Sequence, residues 1–190
     1  MKTAISKGLK NFGEDSPSLF LTDWASYNEG SQFEFGHWVD LQNFSSFDEL
    51  EDYISDHFRQ ADKISPLFGG TPREEILISD YEHTLGKGED LQSFKDEFLF
   101  LEVEEDKKDL IIAIKNDLNV DLDTAIEKSE EAQFVSEYEH DFNQKLGDLY
   151  AETLEIPKNI VFYFDFEQFG RDIALDGYQI ATNSGFYYLS

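Results

Sequence analysis

Three sets of side chains in this sequence have the types that chemistry needs. His83 and His140 each follow a glutamate (Glu82, Glu139), offering the imidazole and carboxylate donors of a zinc site. No HExxH or comparably close spacing joins them, so they read as polar residues at strand ends. Asp117, Asp121 and Asp123 offer oxygens to calcium, but an EF-hand loop begun at Asp117 needs Gly sixth and Glu twelfth, where this chain has Leu122 and Lys128. Carboxylate pairs for glycosidase-type acid/base catalysis are everywhere, because 41 of 190 residues are Asp or Glu; pairs that common identify nothing. GxSxG, P-loop and GxGxxG patterns are absent, Gly86-Lys-Gly88 reads as a turn, and His57 beside Phe58 reads as a packed residue. No catalytic residue, metal or cofactor is assigned, and the chain is read as not an enzyme.

What remains is the charge itself. Against the 41 acids stand 15 Lys and Arg, a formal net charge of −26, yet 40% of the chain is hydrophobic and 15% aromatic, with 18 Phe. Chains too charged to collapse are poor in such residues, so this one is expected to fold and hold its charge on a rigid surface. Compact self-repulsion costs stability, which points to a partner that expects a polyanion. The excess is uneven: Asp80 to Glu155 holds 23 acids and 7 bases, making the middle more than twice as negative per residue as the rest. Direct nucleic-acid binding is disfavoured for lack of clustered Lys and Arg, and an anionic membrane surface would repel the chain. The absence of Cys and of any long apolar run leads us to expect a cytoplasmic protein.

The elements that would hold those groups follow from periodicity. Ser18 to Thr22 reads as a strand ending at an N-cap-type Asp23, Tyr27 to Gly30 as a turn, and Phe33 to Leu41 as a second strand. Ser46-Phe-Asp-Glu49 has capping-box spacing before a helix with Phe47, Leu50, Ile54 and Phe58 inward and Asp48, Glu51, Asp52 and Asp56 outward. Pro66 to Pro72 marks a loop, and Glu75 to Asp80 a buried strand. Helical patterns follow: Leu91, Phe94, Phe98 and Leu101; then Leu110, Ile111, Ile114 and Leu118; then Val120 to Lys128. Gln133 to Ser136 reads as a strand, Phe142 to Leu154 as a helix, and Ile160 to Phe164 as a strand. Asp165 with Gln168 caps a helix that runs toward Gly177, and a hairpin turns at Asn183-Ser-Gly185. Ile76 to His83 and Gln133 to His140 echo each other: apolar residues, then Ser, acid, Tyr, Glu, His. The expected fold class is α+β, an elongated three-domain chain with two mixed α/β units flanking a small helical domain. Its bounds are an N-terminal tail at 1–15, an α/β domain at 16–85, the helical domain at 86–128 and an α/β domain at 129–190.

Three segments resemble the ArdA family of antirestriction proteins. Leu19-Phe-Leu-Thr-Asp-Trp-Ala-Ser-Tyr-Asn-Glu-Gly30, continuing to Gly36-His-Trp-Val39, looks like the family's opening strand, turn and second strand. Ile78-Ser-Asp-Tyr-Glu82 is similar to its Ile-His-Asp-Tyr-Glu, with Ser79 in place of the His. Tyr163-Phe-Asp-Phe-Glu-Gln-Phe-Gly-Arg-Asp-Ile-Ala-Leu-Asp-Gly177 resembles its C-terminal signature. The resemblance implies a non-catalytic inhibitor carried by mobile genetic elements, a dimeric mimic of B-form DNA that occupies the DNA-binding groove of type I restriction–modification enzymes, on their methyltransferase core. It also implies a homodimer formed through the C-terminal domain, with the residues near Phe162 to Asp176 serving fold or dimerisation. At one charge per 1.7 Å of duplex axis, −26 matches about 44 Å of DNA. The acids expected to stand in for phosphates are Glu102, Glu104, Glu105, Asp106, Asp109, Asp117, Asp121, Asp123, Glu127, Glu130 and Glu131. The competing expectation is an acidic binding module for some other basic nucleic-acid-binding protein.

Overall fold

The computed structural model of the chain describes residues 15–154 and 156–190. The expected N-terminal tail lies, up to residue 14, outside the described residues. Among those described, eight α-helices and two small antiparallel sheets form two compact units that divide between Glu102 and Val103.

The first unit is organised on β1 (Ser18–Asp23), the centre strand of a sheet flanked by β2 (His37–Asp40) on one side and β3 (Ile76–Glu82) on the other. Strand alternation puts Leu19 and Leu21 on the core face and Phe20 on the other. Asp23 is extended, and its carboxylate accepts the Ser26 N–H at 2.8 Å, capping α1 (Trp24–Glu29). Gly30 closes that helix at φ 75°. The sequence reading of Phe33 to Leu41 as one strand is corrected: α2 (Gln32–Phe35) comes first, and β2 (His37–Asp40) is only four residues long. Phe33 and Phe35 imitate the period of two, but the helical turn buries Phe35 and leaves Phe33 exposed.

Next, α3 (Phe47–Ile64) starts where the Ser46 hydroxyl accepts the Glu49 N–H at 3.2 Å. The return bond of the expected capping box lands one residue early, the Glu49 carboxylate accepting from the N–H of Ser45 at 2.8 Å. Leu50, Ile54 and Phe58 then pack with Leu19, Leu21, Val39 and Ile78 into one core. β3 (Ile76–Glu82) pairs with the far side of β1. A single turn at Leu91–Phe94 and α4 (Asp96–Leu101) add Phe94, Leu91, Phe98 and Leu101 to the same core. Glu97 of α4 is buried and accepts the N–H groups of Leu85 and Gly86, the latter at 2.7 Å. Burial pushes its carboxyl pKa up, against those two hydrogen bonds.

In the second unit α5 (Glu105–Leu118) ends at Asn119, whose left-handed φ of 52° turns the chain into α6 (Leu122–Glu131). Leu110, Ile111 and Ile114 of α5 and Leu122 and Ala125 of α6 are buried. β4 (Gln133–Ser136), α7 (Phe142–Ala151), α8 (Phe166–Ala174), β5 (Tyr178–Thr182) and β6 (Gly185–Leu189) complete the unit, with strand order β4-β6-β5. α7 lies on α8 and α5 meets β5. The α7–α8 contact is backbone on backbone: a Cβ on Gly147 would sit 1.8 Å from the Phe166 carbonyl oxygen, and one on Gly170 1.8 Å from that of Asn143. The strand expected at Ile160 to Phe164 is not formed. Val161–Tyr163 is a 3₁₀ turn, with Tyr163 N–H donating to Ile160 O at 2.9 Å and Phe164 N–H to Val161 O at 3.2 Å, so the backbone is satisfied locally. The two echoing segments become β3 and β4, each an edge strand with irregular pairing, at Ser79 and near Val135. A bulge on an edge discourages pairing with another chain.

Candidate partner-binding surface

All eleven acids singled out from the sequence are exposed, and helix geometry decides which of them meet. Glu102 follows α4 at the end of the first unit; the other ten belong to the second unit. On α6, Asp123, Glu127, Glu130 and Glu131 stand at i, i+4, i+7 and i+8, which places them on one face. On α5, Glu105 and Asp109 are an i, i+4 pair, with Asp106 beside them and Asp117 near the far end. Lys107 on α5 reaches Glu130 on α6 at 2.6 Å, so the start of one helix lies beside the end of the other. The hairpin therefore sorts the acids into two groups. Glu104, Glu105, Asp106, Asp109, Glu127, Glu130 and Glu131 gather at its open end, while Asp117, Asp121 and Asp123 gather about the turn. At 1.5 Å per residue, Asp106 and Asp117 are about 16 Å apart along the axis, about five base-pair steps of duplex.

Local chemistry tunes this surface. Asp121 caps α6 by accepting the Thr124 N–H at 2.8 Å, and hydrogen bonding to Thr124 holds its carboxyl below the usual range. Lys107 also lies 3.9 Å from Glu104, and Lys108 binds Glu105 at 2.7 Å. The Glu130 carboxylate, by its hydrogen bond and charge, raises the Lys107 ammonium pKa. Asp109 accepts from the Asn183 amide at 2.6 Å, which ties the open end to the β5–β6 turn. Among the described residues Asp106, Asp117, Asp123, Glu127 and Glu131 have no ion-pair partner within 4 Å. Glu127 and Glu131 repel at i, i+4, and Glu130 and Glu131 oppose the helix dipole at the α6 C-terminus. Fold stability alone does not favour that arrangement.

The histidines do not gather for metal. His83 is exposed at φ 56°, 3.6 Å from Asp15, and His140 lies 3.4 Å from its neighbour Asp141. Among the described residues no three His, Asp or Glu side chains converge in metal-holding geometry. His37 and His57 instead lie with ring centroids 4.3 Å apart, tilted by 50°, and share the Phe35 carbonyl at 2.9 and 2.8 Å, with the Tyr53 hydroxyl 2.7 Å from His37. Desolvation lowers the His37 pKa to about 4 and lowers that of His57, and burial raises Tyr53 to about 12.

Two further features surround the charge, the first without a signal in the sequence and the second within the Phe162 to Asp176 stretch that the family resemblance marks for fold or dimerisation. Arg73, buried in the first unit, binds the Asp62 carboxylate at 2.7 Å, donates from Nε to the Ser26 hydroxyl at 3.0 Å and lies over the Phe35 ring. The Asp23 oxygen nearest it has no hydrogen-bond partner and sits 3.7 Å from Arg73 Nε, an electrostatic contact only. In the second unit Phe162 is 91% exposed, Tyr163 87% and Leu175 80%. Their apolar types resemble core residues, yet Phe162 and Tyr163 lie in the 3₁₀ turn that replaces the expected strand and Leu175 at the end of α8.

Fold and surface together define a small mixed α/β protein whose α5 and α6 hold exposed carboxylates, five of them (Asp106, Asp117, Asp123, Glu127 and Glu131) without an ion-pair partner among the described residues. A model of the antirestriction protein (ArdA) family matches residues 19–188, nearly the whole chain, and the chain belongs to that family. Members are antirestriction inhibitors, so membership implies an antirestriction function and with it an interaction with restriction enzymes. No curated protein matches the chain.

Proposed function

We propose that this protein inhibits type I restriction–modification enzymes by presenting α5 and α6 as a stand-in for the phosphates of B-form DNA. The observation that carries the reading is the α6 ladder, Asp123, Glu127, Glu130 and Glu131 on one exposed face, opposite in sign to the Lys and Arg that neutralise phosphates in a DNA-binding groove. Such a ladder supplies position without bases, and phosphate contacts position while base contacts specify. Inhibition would therefore be indifferent to the recognition sequence of the enzyme. We read the protein as a homodimer joined through its C-terminal unit. The exposure of Phe162, Tyr163, Leu175 and Tyr178 supports that assembly, because large apolar side chains left in water gain by being covered and a two-fold dimer covers the same surface on both copies.

The test is competition: the purified protein should displace labelled duplex DNA from a type I methyltransferase core, with affinity falling steeply as salt rises. Replacing Asp123, Glu127 and Glu131 together by their amides should weaken displacement by about tenfold or more, whereas single replacements change it only slightly. No displacement by micromolar protein at low salt would remove this enzyme class as the target.

A further inference from the structure

The first unit contains a cavity of about 480 Å³ between α3, the segment before β3 and Leu91. Its apolar lining includes Ile54, which is buried, and Ile76 and Leu91, which pack on the first core. Two exposed carboxylates line it, Glu51 and Glu74. Glu51 accepts one hydrogen bond, from the Gln92 amide at 3.0 Å. Glu74 has no hydrogen bond or ion pair to its carboxylate among the described residues.

The cations of the cavity are already engaged. Arg73 is held by Asp62 at 2.7 Å, with Asp23 3.7 Å away, and Arg59 is bound to Asp56. An anionic ligand would have to displace one of those carboxylates. A cation would meet Glu51 and Glu74 as they stand. Arginine has the matching shape: its methylenes cover apolar surface while the planar guanidinium offers a fork of donors to carboxylates. Buried arginine anchors are also among the side chains that carry most of the energy of an interface.

We propose that this cavity seats an arginine side chain of the partner protein, so that recognition combines a shaped anchor on the first unit with the diffuse charge of α5 and α6. The inference rests on the reading of a basic partner given above. Its test uses a probe independent of any restriction enzyme: N-acetyl-L-arginine amide titrated into the full-length protein, followed by the methyl resonances of Ile54, Ile76 and Leu91. Saturable shifts are expected at those methyls, at least about tenfold weaker in an E51Q/E74Q variant of unchanged melting temperature. The uncharged citrulline analogue should leave them unmoved.

Absence of saturable shifts overturns the proposal, as does an equal response to citrulline or an unchanged affinity in E51Q/E74Q. Tighter binding of the lysine analogue, or binding of N-acetyl-L-glutamate amide at Arg59 instead, also overturns it. Loss of arginine binding with DNA displacement intact removes the pocket alone; arginine binding without displacement removes the enzyme target alone.

Discussion

The first unit takes charge inside and the second keeps it out. Arg73 lies buried among Asp62, Asp23, Ser26 and the Phe35 ring, and His37 and His57 share one carbonyl beside Tyr53. In the second unit the carboxylates of α5 and α6 are exposed, while Phe142, Leu146 and Tyr188 form a core cluster and several large apolar residues stay at the surface. The difference teaches where net charge can be tolerated. A buried charge must be matched locally, because desolvation exceeds what an imperfect partner returns. An exposed one in high dielectric can stay unmatched at a cost of tenths of a kcal/mol, so a polyanionic surface is built most cheaply on helices over an ordinary core.

The most damaging way to break this comparison is to remove Arg73. Arg73→Met would leave Asp62 and the already unpartnered Asp23 oxygen without their cation, and should destabilise the first unit by about 3–5 kcal/mol. Both tryptophans of the chain, Trp24 and Trp38, lie in that unit, so their fluorescence in urea reports on it selectively. A loss under about 1 kcal/mol would mean that the buried network is not what holds α1 against α3 and the loop that precedes β3.

In the second unit the equivalent weak point is a contact without charge. Gly170→Ala would drive a Cβ to within 1.8 Å of the Asn143 carbonyl, where backbone must shift, and should cost about 3 kcal/mol. Circular dichroism should register the change, and the tryptophan transition should not if the two units unfold separately. Coincident shifts in both probes would show that they unfold as one.

Acid sharpens the contrast. The folded-state pKa of His37 is lowered to about 4, so between pH 6.5 and 4 the unfolded chain binds a proton that the folded one refuses. Stability of the first unit is therefore full above pH 6.5 and should fall by about 2–3 kcal/mol as pH drops to 4, with His57 adding in the same direction. Glu97 opposes it: its raised pKa contributes stability at low pH that is lost as pH rises through the folded value. Urea midpoints by tryptophan fluorescence across this range, compared with His37→Asn, separate the two. An identical pH slope in the variant would clear His37 of the effect.

Legibility in the sequence followed the range of the forces. The cap at Ser46, the inward row Leu50, Ile54 and Phe58, the Asp165 cap and the C-terminal hairpin are set by neighbours a few residues away, and the structure has them. Phe33 to Leu41 and Ile160 to Phe164 had strand-like types, but pairing depends on distant partners: only His37–Asp40 found one, in β1, while short helical turns took Phe33–Phe35 and Val161–Tyr163. The Arg73 network joins residues 11 and 47 positions apart, which no local pattern encodes. The acids could be named one by one because charges are expected outside. Their division between the two ends of a hairpin could not, since it follows from Lys107 meeting Glu130.

The smallest effect tests whether the α6 ladder serves function rather than fold. Glu131 ends α6, repels Glu127 one turn back and opposes the helix dipole, with no cation of its own within 4 Å among the described residues. Glu131→Gln should therefore stabilise the second unit by a few tenths of a kcal/mol, roughly 0.3–0.5, at low ionic strength, with the gain shrinking as salt screens both terms. Thermal melts by circular dichroism at two salt concentrations resolve the sign. A variant more stable yet slightly weaker in displacing DNA would carry the mark of a residue kept for its charge. One less stable at both salts would mean that the Glu131 carboxylate holds the fold, and the ladder would lose its claim to be a surface maintained against the interest of stability.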